Sequence, residues 1–153
     1  YEWDVRLAGG LKAVDLGAAP RGWTWQLVRR GMFVDAVDNG PMAESLMESG
    51  QVTHHREDGF VYQPKKPVDW LVCDIADKPA RVANMIALWV SQGWCREAVF
   101  NLKLPMKQRY AEVARLRERI EQQCEAAGLD VALAFKQLYH DREEVTGHIM
   151  RLR

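Results

Sequence analysis

The segment AVDLGAAPRGW, residues 13–23, constrains the fold more than any other part of the chain. A short apolar run ends in a loop of small residues, and a segment of helical character follows at once. This pattern predicts a strand, a tight turn and a helix N-terminus, the junction at which α/β proteins bind nucleotide-like ligands through backbone N–H groups. Gly17 can adopt a positive φ without strain. The spacing differs from the dinucleotide pattern G-x-G-x-x-G, which favours a different cofactor.

Composition restricts the class of protein. The 153 residues fit one domain, and 48% hydrophobic with 27% charged residues is typical of a folded globular protein. The formal net charge of zero gives no general attraction to nucleic acids or acidic membranes. No apolar run approaches the roughly 20 residues of a membrane span. The opening residues do not resemble a signal peptide, and the three cysteines form no C-x-x-C pair, so we expect free thiols in a cytoplasmic domain taken from a longer protein.

Strand and helix periodicities alternate along the chain. Strands are predicted at Lys12–Leu16, Met32–Val37, Val52–Arg56, Val68–Cys73, Ala98–Leu104, Val131–Leu138 and Glu144–Arg151. Helices are predicted at Trp23–Arg30, Pro41–Glu48, from Pro79 through Val90, and at Lys107–Ala127, the last with the apolar stripe Tyr110, Val113, Leu116, Ile120 and Cys124. This alternation indicates an α/β fold with a mostly parallel sheet and helices on both faces. The last two strands have a short connection and must therefore be antiparallel.

Acidic residues follow successive strands. Ligands of parallel sheets bind outside the carboxyl ends of the strands, where Asp38, Asp58 and Asp74 fall, with Asp15 inside the first strand. Asp38 lies about 20 residues beyond the glycine loop, the spacing of an acid that accepts both ribose hydroxyls. Asp58 could accept from an adenine amino group, and Asp74 lies at the expected switch point. The alternative is that these residues only terminate strands in turns.

Lys103 interrupts the apolar strand AVFNLKL. A lysine in a central strand is costly unless it is paired or functional, and desolvation would make it a workable base near neutral pH. Glu144 or Asp74 could orient it. The alternative is a side chain that extends from the strand end into solvent.

Six segments together carry a family resemblance: DLGAAPRGW, VDNGPM, REDGF, CDIADKPA, FNLKLPMK and LYHDREEVT. They resemble the catalytic domain of the RlmM-type ribosomal RNA 2′-O-ribose methyltransferases, within the FtsJ-like group. The resemblance implies a Rossmann-like class I fold that ends in an antiparallel hairpin. It also implies S-adenosylmethionine as cofactor and a cytidine of the large-subunit ribosomal RNA as substrate.

The resemblance also implies residue roles. The methionine part of the cofactor would lie against Ala19, Pro20, Arg21 and Gly22, close to Gly17. Asp38 would bind the ribose and Asp58 would lie by the adenine. The catalytic set would be Lys103 as general base with Asp74, which also neighbours the cofactor, and Glu144, with Glu143 as the fallback for the terminal glutamate.

Two features depart from the family pattern. Arg21 stands where the family usually has glycine, which strains the backbone by about 1–2 kcal/mol if that position needs a positive φ. The family's first catalytic lysine lies on a helix before the first strand, and Lys12, within that strand, does not replace it. We therefore expect a single catalytic domain over residues 1–153, without the amino-terminal RNA-binding region and with little or no methyl transfer of its own.

Other interpretations remain open at this point. A nicotinamide-dependent oxidoreductase shares the glycine loop but should show G-x-G-x-x-G and has no use for Lys103 in this strand. The other alternative is a cofactor-binding or RNA-docking module that has lost catalysis. The four histidines show no ligand spacing, so we expect no metal. For RNA contact the candidates are Lys65, Lys66, Arg115, Arg117 and Arg119, although a solvated helix face explains the arginines better.

Overall fold

The computed structural model describes residues 9–17, 23–104, 107, 109–137 and 144–152. The chain divides into two compact units, Tyr1–Asp74 and Ile75–Arg153. Seven strands and four helices lie within the described residues. Each unit contributes its own part of the sheet, and each is described in turn.

The first unit carries four parallel strands. Along the chain it consists of β1 (Lys12–Leu16), α1 (Thr24–Arg29), β2 (Phe33–Val37), α2 (Glu44–Met47), β3 (Val52–His55) and β4 (Val68–Cys73). The strand order is β3-β2-β1-β4, so β1 is hydrogen-bonded on both sides. Strands buried on both faces read as continuous apolar runs, which explains why β4 (VDWLVC) is apolar except at Asp69, whereas β1 (KAVDL) carries the buried Asp15.

The second unit combines two longer helices with three strands. It consists of α3 (Pro79–Ser91), β5 (Cys95–Lys103), α4 (Arg109–Ala126), β6 (Val131–Gln137) and β7 (Glu144–Arg151). β7 lies between β5 and β6 and is antiparallel to both. Pro79 begins α3, where its missing N–H costs no hydrogen bond, and Gly128 follows α4 with a φ of +77°.

Most sequence-based boundaries are confirmed within two residues, and the antiparallel last pair is confirmed. Two boundaries differ more. β5 begins at Cys95 rather than Ala98, and α2 begins at Glu44 because Ala43 is still extended, with φ −60° and ψ 131°. The predicted apolar stripe of α4 is wrong at its first member, because Tyr110 is 95% exposed. Leu116, Ile120 and Cys124 are fully buried as predicted.

Gly147 lies at the most crowded point of the second unit. In the register of β7 it faces Phe100 of β5 on one side and Phe135 of β6 on the other. The two rings meet edge to face with centroids 6.0 Å apart, and Phe100 is fully buried. A methyl group on Gly147 would overlap the Phe100 ring. Glycine is therefore required here for close packing.

We predict that Gly147→Ala lowers the free energy of unfolding by about 1–3 kcal/mol, because a dense core cannot move a buried ring without strain. Urea unfolding measures the change. Phe100→Leu in the same chain should recover part of the loss, so the double variant should be more stable than the sum of the two single effects. Strictly additive effects would contradict this packing account.

Candidate functional site

Three strand ends of the first unit lie level with one another. Leu16 pairs with Val37 on one side and with Cys73 on the other. The ladder continues one step further, because the Gly17 N–H donates to the Val37 carbonyl (2.9 Å) and the Asp74 N–H donates to the Leu16 carbonyl (3.2 Å). Adjacent strands are about 4.8 Å apart, so Asp38 and Asp74 flank Gly17.

Gly17 turns the chain away from the sheet at this point. Its φ is +79°, which side chains with a Cβ rarely adopt, so the sequence-based prediction of a positive φ is confirmed. The described backbone stops here, and Ala19, Pro20, Arg21 and Gly22 lie outside the described residues. Their predicted role in cofactor binding stays a prediction.

Asp38 and Asp58 both close turns of their own backbone. The Asp38 carboxylate accepts from the Gly40 N–H at 2.8 Å, and that of Asp58 accepts from the Phe60 N–H at 2.9 Å. This matches the alternative in which acids terminate strands in turns. It does not exclude binding, because an ionised carboxylate has about four acceptor sites and a single N–H uses one of them.

Asp15 attaches helix α1 to the centre of the sheet. Its side chain is fully buried in β1, and its Oδ2 accepts from the Thr24 hydroxyl at 2.7 Å. Thr24 is the first residue of α1 and is also fully buried. The contact fixes where the chain re-enters regular structure after the glycine loop.

The Asp15 carboxyl is held in an unusual state. Burial raises its pKa to about 7, and the nearby Asp74 carboxylate adds to the rise while hydrogen bonds from Thr24 oppose it. Among the residues that the structure describes, Oδ1 of Asp15 has no hydrogen-bond partner. A buried carboxylate oxygen without a donor is costly, so the neutral, protonated form of this carboxyl is favoured.

In the second unit, Lys103 and Glu144 face each other. Lys103 is the last residue of β5, Glu144 is the first of β7, and the antiparallel register pairs them directly. The sequence suggested a lysine inside the strand. Its side chain is instead exposed at the strand end, so no cost of burying an ammonium group arises.

A row of polar pairs continues from Lys103 along the same face of β5 and β7. The Thr146 hydroxyl donates to the Asn101 side-chain carbonyl at 2.7 Å, and both residues are buried. Further along, His148 Nε2 lies 2.7 Å from a carboxylate oxygen of the fully buried Glu97. Sequence reasoning missed these pairs. The asparagine in AVFNLKL was the available signal, but its partner lies 45 residues away.

A separate cavity of about 440 Å³ lies in the first unit. It contains none of the predicted catalytic or cofactor-binding residues, but Lys65 and Lys66, two of the RNA-contact candidates, line it together with Lys12, Asp35, His55 and Tyr62. His55 Nε2 lies 2.9 Å from a carboxylate oxygen of Asp35. Burial, together with the carboxylates of Asp35 and Glu57, raises the pKa of Tyr62 to about 12. No group of His, Cys, Asp and Glu within the described residues could hold a metal ion.

Comparison with known proteins gives a consistent result, although no family model matches the chain. It is 76% identical over 148 residues to Ribosomal RNA large subunit methyltransferase M from Teredinibacter turnerae, and 66% identical over 151 residues to the protein of that name from Pseudomonas fluorescens. These alignments cover 97% and 99% of this chain but 42% of each relative, so the chain spans less than half of their length. The family resemblance seen in the motifs is confirmed.

The solved structures show the fold. Fibrillarin from Aeropyrum pernix, described as a complex with natively bound S-adenosyl-L-methionine, superposes with a TM-score of 0.61 at 16% identity. The match covers 94% of this chain and 68% of fibrillarin. The predicted Rossmann-like class I methyltransferase fold is confirmed. None of the helices within the described ranges is both long and apolar enough to span a membrane.

Because its pKa is raised, Asp15 makes the free energy of unfolding depend on pH in a defined direction. The folded state keeps this proton up to pH about 7, whereas the unfolded chain releases it near its ordinary value of 3.8. The contribution of Asp15 to the free energy of unfolding is therefore fully present below pH about 4 and is lost as the pH rises through 7. In the wild type, the free energy of unfolding should fall by up to about 1.4 kcal/mol per pH unit between pH 5 and 7. We predict that Asp15→Asn removes this fall.

Chemical denaturation at pH 5, 6, 7 and 8 measures this difference. The exposed carboxylate of Glu125 supplies the control, since Glu125→Gln removes the same charge without a buried partner. Parallel stability curves for the wild type and Asp15→Asn would contradict the assignment.

Proposed function

We propose that this chain is the cofactor-binding and catalytic part of an enzyme that methylates a ribose 2′-hydroxyl in large-subunit ribosomal RNA, with S-adenosylmethionine as cofactor and a cytidine as target. The identity to proteins named Ribosomal RNA large subunit methyltransferase M supports the reaction class and the substrate. The observation that carries the proposal is the alignment of Gly17, Asp38 and Asp74 at the strand ends. Such an enzyme acts in the cytoplasm, where ribosomes assemble.

The residues of the first unit fit this cofactor. S-adenosylmethionine supplies a methyl group bound to a positively charged sulfur. Carboxylates on both sides of Gly17 favour a cation, and Asp38 can accept ribose hydroxyls. A dinucleotide is a poorer match, because the sequence lacks the glycine spacing that a pyrophosphate requires.

The second unit supplies the groups for proton transfer. A ribose hydroxyl is too weakly acidic to attack at neutral pH without a base. In our proposal Lys103 is the base that takes the 2′-hydroxyl proton, while Glu144 positions its amine from the neighbouring strand. Asp74 completes the set by analogy with the family. Restricting the orientation of the reacting hydroxyl adds to the rate by removing the entropy of encounter.

We further propose that residues 1–153 alone transfer methyl groups slowly. The family places another catalytic lysine on a helix before β1, and Lys12, the first lysine here, lies within β1. Full activity should therefore need a lysine that this sequence does not provide. Turnover by the 153 residues equal to that of the longer Teredinibacter turnerae relative would overturn this part of the proposal.

Cofactor affinity should depend on Asp38. We predict that Asp38→Ala raises the Kd for S-adenosylmethionine about 10- to 100-fold, because hydrogen bonds to a charged group are lost. Isothermal calorimetry measures the Kd, and thermal unfolding checks that the turn to Gly40 still forms. Glu48→Ala, which removes an exposed carboxylate of the same unit, should leave the Kd unchanged. Equal affinity of wild type and Asp38→Ala, or tighter binding of NAD than of S-adenosylmethionine, would contradict the cofactor assignment.

Lys103 should affect chemistry and not cofactor binding. We predict that Lys103→Met keeps the Kd for S-adenosylmethionine and lowers methyl transfer to large-subunit RNA about 10²- to 10⁴-fold, the usual contribution of a general base. Transfer of a radiolabelled methyl group is measured in this chain and, at the aligned lysine, in the longer Teredinibacter turnerae relative. Lys78→Met is the control for loss of one exposed lysine. Unchanged transfer in both proteins would remove Lys103 from the mechanism.

A further inference from the structure

A second cavity, of about 390 Å³, lies in the second unit between the start of α4 and the ends of β6 and β7. Its lining includes Arg109, Tyr110 and Arg117 of α4 together with Phe135 and Val145 of the strands. Among the residues that the structure describes, the lining contains two arginines and no carboxylate. We call this lining the α4 platform. We propose that the α4 platform binds one nucleotide of a single-stranded RNA next to the target nucleotide, an inference that rests on the proposed function.

The aromatic part of the α4 platform is suited to a base. Tyr110 is 95% exposed on the first turn of α4, so its ring is accessible to a ligand. Phe135 stands on the opposite wall and packs edge to face on Phe100, which fixes its ring. Every base has an apolar face, so exposed rings of this kind bind bases with little regard to sequence.

The charged part is suited to a phosphate. The Arg117 guanidinium lies 5.1 Å from the centre of the Phe135 ring and donates to the Leu133 carbonyl at 2.6 Å. Arg109 donates to the Leu104 carbonyl at 2.6 Å. The Leu133 carbonyl holds the Arg117 guanidinium at the cavity wall without neutralising it, because a carbonyl group carries no net charge. A guanidinium has five N–H donors, so one carbonyl contact leaves donors for phosphate oxygens.

The position of the α4 platform connects it to the reaction. Val145, in its lining, follows Glu144 in β7 and pairs with Leu102, the residue before Lys103. Side chains alternate along a strand, so the platform and the Lys103–Glu144 pair occupy opposite faces at one end of the same strands. An RNA strand that crosses this end can place its target ribose on one face and the adjacent nucleotide on the other.

The test uses a ten-nucleotide single-stranded RNA that carries 2-aminopurine, whose fluorescence is quenched when it stacks. We expect Tyr110→Ala to raise the Kd for this RNA about 5- to 50-fold and to reduce the quenching, in line with the usual contribution of one stacked base. Tyr110→Phe, which keeps the ring, should stay within about twofold of the wild type. An unchanged Kd for Tyr110→Ala would overturn the proposal.

Charge is tested by a matched pair on α4. Arg117→Gln should weaken RNA binding. It should also lower the magnitude of the slope of log K, the association constant, against log salt concentration by about 0.7, the value for one phosphate contact on a single strand. Arg119→Gln removes the same charge from an exposed position outside the cavity and should change neither quantity. Equal effects of the two variants would show general charge attraction and contradict a site at the α4 platform.

Cofactor calorimetry on the same samples separates this inference from the proposed function. Binding of S-adenosylmethionine by a wild-type chain that does not bind the RNA would overturn the α4 platform and leave the proposed function standing. Loss of both S-adenosylmethionine binding and RNA binding would reject the proposed function and the α4 platform together. Sedimentation tests the other possible occupant, because a dimer that dissociates on Tyr110→Ala would identify the surface as a contact between copies and contradict RNA binding.

Discussion

The pairing of Leu16 with Val37 and Cys73 is the constraint on which the candidate site depends. Because the three strands are parallel, their carboxyl ends stop at one level, and the residue that follows each strand joins a common row. The hydrogen bond that the Thr24 hydroxyl donates to Asp15 then sets where α1 begins after the glycine loop. Burying the Asp15 carboxyl at the centre of the sheet is costly, which points to a positional role rather than a contribution to stability.

The second unit brings its candidate catalytic residues together through antiparallel strand pairing. An antiparallel β7 runs back beside β5, so its first residue, Glu144, meets the last residue of β5, Lys103. The polar pairs Asn101–Thr146 and Glu97–His148 continue along the same face. Each pair is internally satisfied, which allows a polar row to stay within a sheet whose other face is packed with Phe100 and Leu102.

The sequence predicted the parts of the structure that follow local rules. Strand ends, the turn at Gly17 and the antiparallel last pair each depend on residues close in the chain. The buried state of Asp15 and the partner of Asn101 depend on contacts between distant segments, so periodicity carries no signal for them. Tyr110 shows the converse error, because it continues the helical repeat of α4 but is 95% exposed, whereas Leu116 and Ile120 are fully buried. A repeat indicates which side of a helix faces the core, and not how far the core reaches.

The proposed function requires S-adenosylmethionine to bind at the row formed by Gly17, Asp38 and Asp74. Mapping of backbone amide resonances during titration of the isotope-labelled chain with this cofactor shows where it binds. Binding at the row should give saturable shifts that are largest at these three residues and small at Lys12 and Tyr62, which line a separate cavity of the same unit. Shifts concentrated at Lys12 and Tyr62, with the three strand ends unmoved, would contradict it.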